Sequence, residues 1–328
     1  MKAVCISHVE DADGLICAAY LRILRNASIF LVTYDEFKDA LSNVRPPVDE
    51  VYICDLNIRE DLTEEILRIN GFADVTLVDH HPTAKGVLER LTDWGVVVIH
   101  SPLDCASVLL YDRFREELGR EASRMAAYAA ISDQFENGPI ALKILEKLDR
   151  HFVQHEALIL THALHRKTET QFRLTVLEEL SRFIPPHRIK DVQEAALAHL
   201  DHVARLLNSL PTKASKLGNI AYVDAIDGTS SGAVAGLLVD ALDVDVGVCY
   251  KLGETGAMNL SIRARRGLKI HLGEITKRLA DRYGGFGGGH SRASGASIPH
   301  ESYIEFIKDL EMELEADEQH STMARQSV

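Results

Sequence analysis

A chain of 328 residues, 46% of them hydrophobic, is long enough for two cores and too apolar for wholesale disorder. Its net charge of −13 argues against a long basic surface for duplex nucleic acid, yet leaves room for a small anion held by a local patch. No apolar run approaches the roughly 20 residues that span a membrane. The start of the chain carries no secretory cleavage pattern, and five scattered cysteines without CxxC spacing suit buried thiols, so a cytoplasmic protein with no membrane partner is expected.

Residues 2–7 read as a buried strand that releases a polar string, His8-Val9-Glu10-Asp11-Ala12-Asp13-Gly14. Nearly continuous apolar residues over 15–24 predict a helix packed between a sheet and its neighbours, and 29–33 is strand-like again. The apolar run 51–54 leads directly into Asp55, and a helix is expected over about 60–69. The strand over 75–78 ends most abruptly, in Asp79-His80-His81-Pro82, where proline fixes φ and supplies no backbone donor. After a further helix, 96–99 ends in His100, read as a polar contact and not as a ligand. Strands alternating with helices predict an α/β fold with a parallel sheet covered by helices on both faces. In such sheets ligands bind outside the carboxyl ends of the strands.

Beyond His100 the pattern turns helical. Asp104 is a candidate N-cap for a helix through Leu110 and Phe114, and 124–135 predicts another, carrying Asp133 near its end. Residues 140–208 are mostly helical, with a break at Pro185-Pro186. Strands over 220–223, 244–250 and 257–263 then alternate with helices over 231–242 and 272–283. A glycine run, 284–289, and a last helix over 301–315 follow. This divides the chain into a domain with a helical extension (1–185), a helical connector (186–216), a smaller C-terminal α/β domain (217–318) and a tail (319–328). No internal repeat or coiled-coil period is present.

His8, Asp11, Asp13, Asp55, Asp79, His80 and His81 all stand at strand ends. Burying so many carboxylates together is costly unless cations neutralise them. Aspartate with histidine, and no thiolate, suits Mn2+ first, with Mg2+ or Co2+ as alternatives. In Asp11-Ala12-Asp13 alternate residues can reach two adjacent ions, and a carboxylate from another strand, such as Asp55, can bridge them. Two ions about 3.5–4 Å apart hold a nucleophilic water and clamp phosphoryl oxygens during in-line displacement.

The ordered set Asp11-Ala12-Asp13-Gly14, Ile53-Cys54-Asp55, Asp79-His80-His81 and Ile131-Ser132-Asp133 resembles the four motifs of the DHH phosphoesterase family. That family includes RecJ-type exonucleases, nanoRNases, cyclic-dinucleotide phosphodiesterases and exopolyphosphatases. The run Gly287-Gly288-Gly289-His290-Ser291-Arg292-Ala293-Ser294-Gly295 resembles the glycine-rich motif of the DHH-associated domain, so the resemblance extends from residue 8 to residue 295. It implies one metal site from His8, Asp11 and Asp55, and a second from Asp13, Asp55, His80 and Asp133, with Asp55 bridging. His81 would contact the scissile phosphate, with Asp79 supporting the histidine pair. One departure stands out: His8 lies three residues before Asp11, where members with this ligand usually place it four before.

Glycines let a backbone approach an anion closely. From Gly253 to Arg292 there are eight Lys or Arg against three acids, a basic stretch in an acidic chain. Lys277, Arg278 and Arg282 fit the solvated face of a helix, whereas Arg263 ends a strand-like run. The resemblance implies that Arg263, Gly288, Gly289, His290 and Arg292 bind substrate, the arginine gripping an anion through its fork of donors. No basic stretch interleaved with aromatics offers a stacking track for long strands. The sequence therefore favours a metal-dependent phosphodiesterase that converts short single-stranded oligonucleotides or dinucleotides to nucleoside monophosphates, in the manner of a nanoRNase. Its rivals are a hydrolase of cyclic di-AMP or of its linear product, a RecJ-like exonuclease (disfavoured by charge) and a scaffold that has lost catalysis, against which the full set of motif aspartates speaks. RNA against DNA, base preference, direction of degradation and oligomeric state, a homodimer included, stay open.

Overall fold

A computed structural model describes residues 2–84 and 86–326. It forms two compact units, Met1–Asp201 and His202–Val328. In the first, β1 (Ala3–His8), α1 (Ala12–Arg25), β2 (Ser28–Val32), α2 (Tyr34–Asn43), β3 (Glu50–Cys54), α3 (Thr63–Asn70), β4 (Asp74–Asp79), α4 (Val87–Asp93) and β5 (Val97–His100) alternate. Among the described residues the strands make one parallel sheet of order β2-β1-β3-β4-β5. The chain fills the sheet to one side of β1 and then crosses to the other, so the switch point lies between the carboxyl ends of β1 and β3, where such sheets form their crevice.

The period of two along each strand sorts the apolar residues onto opposite faces. On β3, Val51 and Ile53 join Phe37 and Leu41 of α2 and Ile66 of α3. Tyr52 and Cys54 join the core of α1 on the other face. That second face is thickened by α5 (Ala106–Leu118), α6 (Ser123–Ser132), α7 (Pro139–Leu145), α8 (Arg150–Arg166) and α9 (Thr170–Ser181), followed by α10 (Val192–Lys213). The division between the units falls inside α10.

Two local expectations change. The N-cap position of α5 is Cys105, without a side-chain bond, and Asp104 instead accepts from the amides of Ile140 (3.2 Å) and Ala141 (2.9 Å) at the start of α7. The physical reason is competition, because the first amides of α5 are already taken by Asp13. The helix expected over 124–135 stops at Ser132, with Asp133 at its C-cap and Gln134 in the left-handed region at φ 63°. Asp133 thus lies at a helix end, free of the helical face.

In the second unit, β6 (Ser215–Leu217), β7 (Ile220–Asp224), α11 (Ser231–Ala241), β8 (Val246–Leu252), β9 (Ala257–Ala264), α12 (Leu272–Arg282), β10 (Phe286–Gly289), β11 (Ala293–Pro299) and α13 (Tyr303–Gln326) follow. The sheet has the order β10-β11-β9-β8-β7-β6, with β7 and β8 parallel and the other pairs antiparallel. Part of the glycine run is strand β10. Its small residues let α12 close down: a Cβ on Gly273 would meet the Gly289 carbonyl oxygen at 2.1 Å. The last helix begins at Tyr303 and runs to Gln326, so most of the expected tail is helical, and residues 327 and 328 lie outside the described residues. No helix among the described residues is long and apolar enough to cross a membrane.

Candidate metal centre

Three neighbouring strand ends deliver the polar residues of the first unit. β1 ends in His8, β3 is followed at once by Asp55, and β4 ends in Asp79 with His80 and His81 beyond it. Asp55 is 1% exposed and left-handed at φ 57°, a conformation aspartate tolerates. Its amide donates to the Val78 carbonyl at 2.9 Å, which locks that turn against β4.

The carboxylate of Asp55 faces two groups. Its Oδ2 lies 3.7 Å from His8 Nδ1, and His8 Nδ1 is 2.9 Å from Asp11 Oδ2. Its Oδ1 lies 3.2 Å from His80 Nε2, which is also 3.3 Å from Asp133 Oδ2 and 3.9 Å from Asp13 Oδ2. Potential ligand atoms of His8, Asp11 and Asp55 fall within 4.8 Å of one another, and so do those of Asp13, His80 and Asp133. Asp133, distant in sequence, is thereby gathered with the strand-end residues.

Each of these side chains is held by a definite support. Asp11 caps α1, accepting from the Gly14 amide at 3.1 Å, and Gly14 has no room for a side chain because a Cβ would lie 2.3 Å from the His8 carbonyl oxygen. Asp13 accepts from the Ala106 and Ser107 amides at 2.8 Å each, at the amino end of α5, where the helix dipole favours an anion. His81 donates from Nδ1 to Asp79 Oδ1 at 2.7 Å, which leaves Nε2 to accept from the Tyr34 hydroxyl at 3.2 Å. His100 donates from Nε2 to the His81 carbonyl oxygen at 2.8 Å, the polar contact expected of it. Tyr34 was not anticipated from the sequence. It begins the segment after β2, so the rule that strand ends build the site could have found it.

The electrostatics show a cluster short of positive charge. Burial, reinforced by the charges of Asp11 and Asp13, pushes the Asp55 carboxyl well above the usual carboxylate range. Burial, then Asp13 and Asp11, pushes Asp133 up to about 8. Burial disfavours the His8 cation, but its bond to Asp11 and the nearby Asp55 carboxylate outweigh that and raise it to about 10. Burial likewise disfavours the Asp11 anion, yet the bond from His8 brings it down to about 2. His8 Nε2, Asp55 Oδ2, Asp79 Oδ2 and Asp133 Oδ2 are buried with no hydrogen-bond partner. Orphaned acceptors and trapped protons in an oxygen and imidazole donor set fit divalent cations, which would replace the protons. Mn2+ added at pH 7 should therefore release more than one proton per chain, chiefly from Asp133 and His8. Calorimetry in two buffers of different ionisation enthalpy measures this, and a heat independent of buffer would exclude such an exchange.

In the second unit, Arg263 lies in β9 opposite Ala293 of β11. Lys277, Arg278 and Arg282 on α12 pair with Asp281, Glu313 and Asp309 at 2.7–3.0 Å, as expected of a solvated helix face. Arg263 has no carboxylate partner among the described residues. Burial alone lowers its pKa, and Nη1 donates only to the Ile262 carbonyl at 3.0 Å. Its Nη2 lies over the first turn of α11, where a Cβ on Gly232 would come within 2.5 Å. A half-buried guanidinium beside a helix amino end, with no acid paired to it among the described residues, puts two anion-seeking groups together. Gly288 and Gly289 have φ of 152° and 145°, and a Cβ on Gly289 would lie 2.4 Å from the Ala293 carbonyl oxygen. His290 and Arg292 are exposed on the turn joining β10 to β11.

A protein-family comparison matches residues 218–316 to the DHHA1 domain. Among solved structures the chain is similar to a pGpG-specific phosphodiesterase, PggH, from Vibrio cholerae, at 14% identity and a TM-score of 0.60, over 96% of this chain and 99% of that one. It is similar to the DHH domain of a member of a family of ribosomal proteins at 17% identity and a TM-score of 0.68, over 95% and 86% of the two chains. RecJ from Thermus thermophilus in complex with Mn2+ gives 17% identity and a TM-score of 0.61, over 96% of this chain and 52% of RecJ. No curated protein matches the sequence significantly. At these identities the likeness to solved structures is one of fold.

Proposed function

We propose, from the premise that a chain with the DHH phosphoesterase fold and a C-terminal DHHA1 domain is a DHH-family protein, that it is a phosphodiesterase of short single-stranded oligonucleotides or dinucleotides. It would release nucleoside monophosphates with the help of two divalent ions, Mn2+ before Mg2+ or Co2+. The observation that carries this reading is Asp55, with one oxygen toward His8 and the other toward His80. His8, Asp11 and Asp55 would hold one ion, and Asp13, Asp55, His80 and Asp133 the other. When bound, such a pair activates water and neutralises charge on the phosphoryl group. The catalytic domain would comprise residues 1–185, the connector 186–216 and the substrate-binding domain 217–318, acting in the cytoplasm.

The chain's own residues do the rest. α5 anchors both oxygens of Asp13 without spending a side chain. Asp79 fixes the His81 ring and would balance the charge on it when Nε2 donates to a phosphoryl oxygen in place of meeting the Tyr34 hydroxyl. Arg263, with Gly288, Gly289, His290 and Arg292 nearby in sequence or across the sheet, would hold the adjoining nucleotide. His81→Ala should lower kcat by about 100- to 1,000-fold with little change in KM, because its contact matters most as charge develops. A raised KM with kcat intact would make His81 a docking group.

A linear dinucleotide is the first substrate to test, since a fold relative spanning this chain end to end is a pGpG-specific phosphodiesterase. Mn2+-loaded protein should be assayed against a length series of RNA and DNA and against cyclic di-AMP. Monophosphate release is expected to be fastest on the shortest strands and to stop in excess EDTA. Undiminished activity in EDTA would end the metal mechanism, and faster cleavage of long strands would end the short-substrate reading.

A further inference from the structure

Three imidazoles outside the carboxylate-rich set converge from α8 and α10. His162 and His165 stand three apart on α8, a spacing that places both on one helix face. His199 reaches them from α10. Its ring stacks on that of His162, with centroids 5.1 Å apart and planes at 23°, and lies 5.4 Å from the ring of His165. One potential ligand nitrogen from each falls within 4.8 Å of the others. His162 also leaves its Nδ1 buried with no hydrogen-bond partner. A buried ring nitrogen left without a partner is costly, and so requires an explanation.

As a purely structural cluster the arrangement has little to recommend it. Burial, then the neighbouring His165, lowers the pKa of His162, so that ring tends to stay neutral with a lone pair to offer. No carboxylate belongs to the group, which disfavours Mg2+ and Mn2+. All-imidazole sites suit borderline ions, Zn2+, Cu2+, Ni2+ and Co2+. At a Zn–N distance of about 2.0–2.1 Å, tetrahedral nitrogens sit roughly 3.4 Å apart, so small side-chain rotations would complete the site.

We propose that His162, His165 and His199 form a separate transition-metal site, taking Zn2+ by preference, that ties α8 to α10 within the first unit. Three protein ligands leave a fourth position open to water or to a small ligand. The site differs in donor chemistry from the carboxylate-rich centre and does not depend on the function proposed for that centre.

The test uses the full chain with Zn2+ alone as the probe, titrated calorimetrically, and Co2+ read by its visible absorption. His165→Gln is the principal variant, because the residue is exposed and its substitution spares the core. His199→Asn is the second. Each should lose one equivalent of bound Zn2+, or weaken it by more than about 100-fold, beyond the loss typical of removing a merely supporting partner. Zn2+ should raise the melting temperature of the wild type more than that of either variant. The same one-equivalent difference should persist when the histidine changes are made in an Asp55→Asn background, so failure of the carboxylate-rich centre to bind metal would leave the result standing. Identical Zn2+ stoichiometry and affinity in wild type and His165→Gln would overturn the proposal. So would equal Zn2+-induced stabilisation of the two.

Discussion

Asp55→Asn should lower Mn2+-dependent turnover about a thousand-fold or more while leaving the metal-free fold at least as stable as the wild type. Asparagine is isosteric and, like aspartate, tolerates the left-handed backbone at φ 57°, and the amide bond to Val78 is unaffected. What disappears is the carboxylate that faces both His8 and His80. The metal-free protein gains because Asp55 is buried among Asp11 and Asp13, which raises its folded pKa. An acid whose folded form prefers the proton costs stability once pH rises above its unfolded value, so the gain should be absent below about pH 4 and grow above it. Melting curves across pH with and without Mn2+ separate the two effects. Near-wild-type turnover, or an undiminished Mn2+-induced rise in melting temperature, would remove Asp55 from the bridging role.

Arg263→Ala should cost about 1.5–3 kcal/mol in kcat/KM, or about 10- to 150-fold, on dinucleotides and other very short strands. The same change should matter little for bis-p-nitrophenyl phosphate, which has no second nucleotide to hold. Binding energy remote from the reacting bond positions it, so the loss should follow the presence of the neighbouring nucleotide. Arg263 makes no ion pair among the described residues, so its removal strands no buried carboxylate, and the melting temperature should move little. The ratio of kcat/KM for wild type and variant on the two substrate types decides the matter. Equal loss on both would assign Arg263 to the support of the fold.

The parallel sheet was legible because its strands are short apolar runs that stop at acids and imidazoles. α2 was not, since Tyr34–Asn43 buries only Phe37 and Leu41, although the capping box of Thr33 with Glu36 marks its start. β11 was missed because Ala, Ser and Gly read as loop. Its burial alternates nonetheless, with Ser294, Ala296 and Ile298 turned inward. In the candidate site it was the order of motifs that pointed to Asp133, since its own helical run did not. Asp104 went astray because its partners lie 36 and 37 residues further on, and a carboxylate does not disclose which helix end it will meet.

The hold on Asp13 has a wider consequence. Its two oxygens are anchored by peptide N–H groups, which every residue but proline supplies, so the side chains at 106 and 107 are irrelevant to that anchorage. Such a support leaves no letter in the alphabet of the sequence. A chain of this fold can therefore keep a carboxylate placed in this way with no polar side chain at 106 or 107 to hold it.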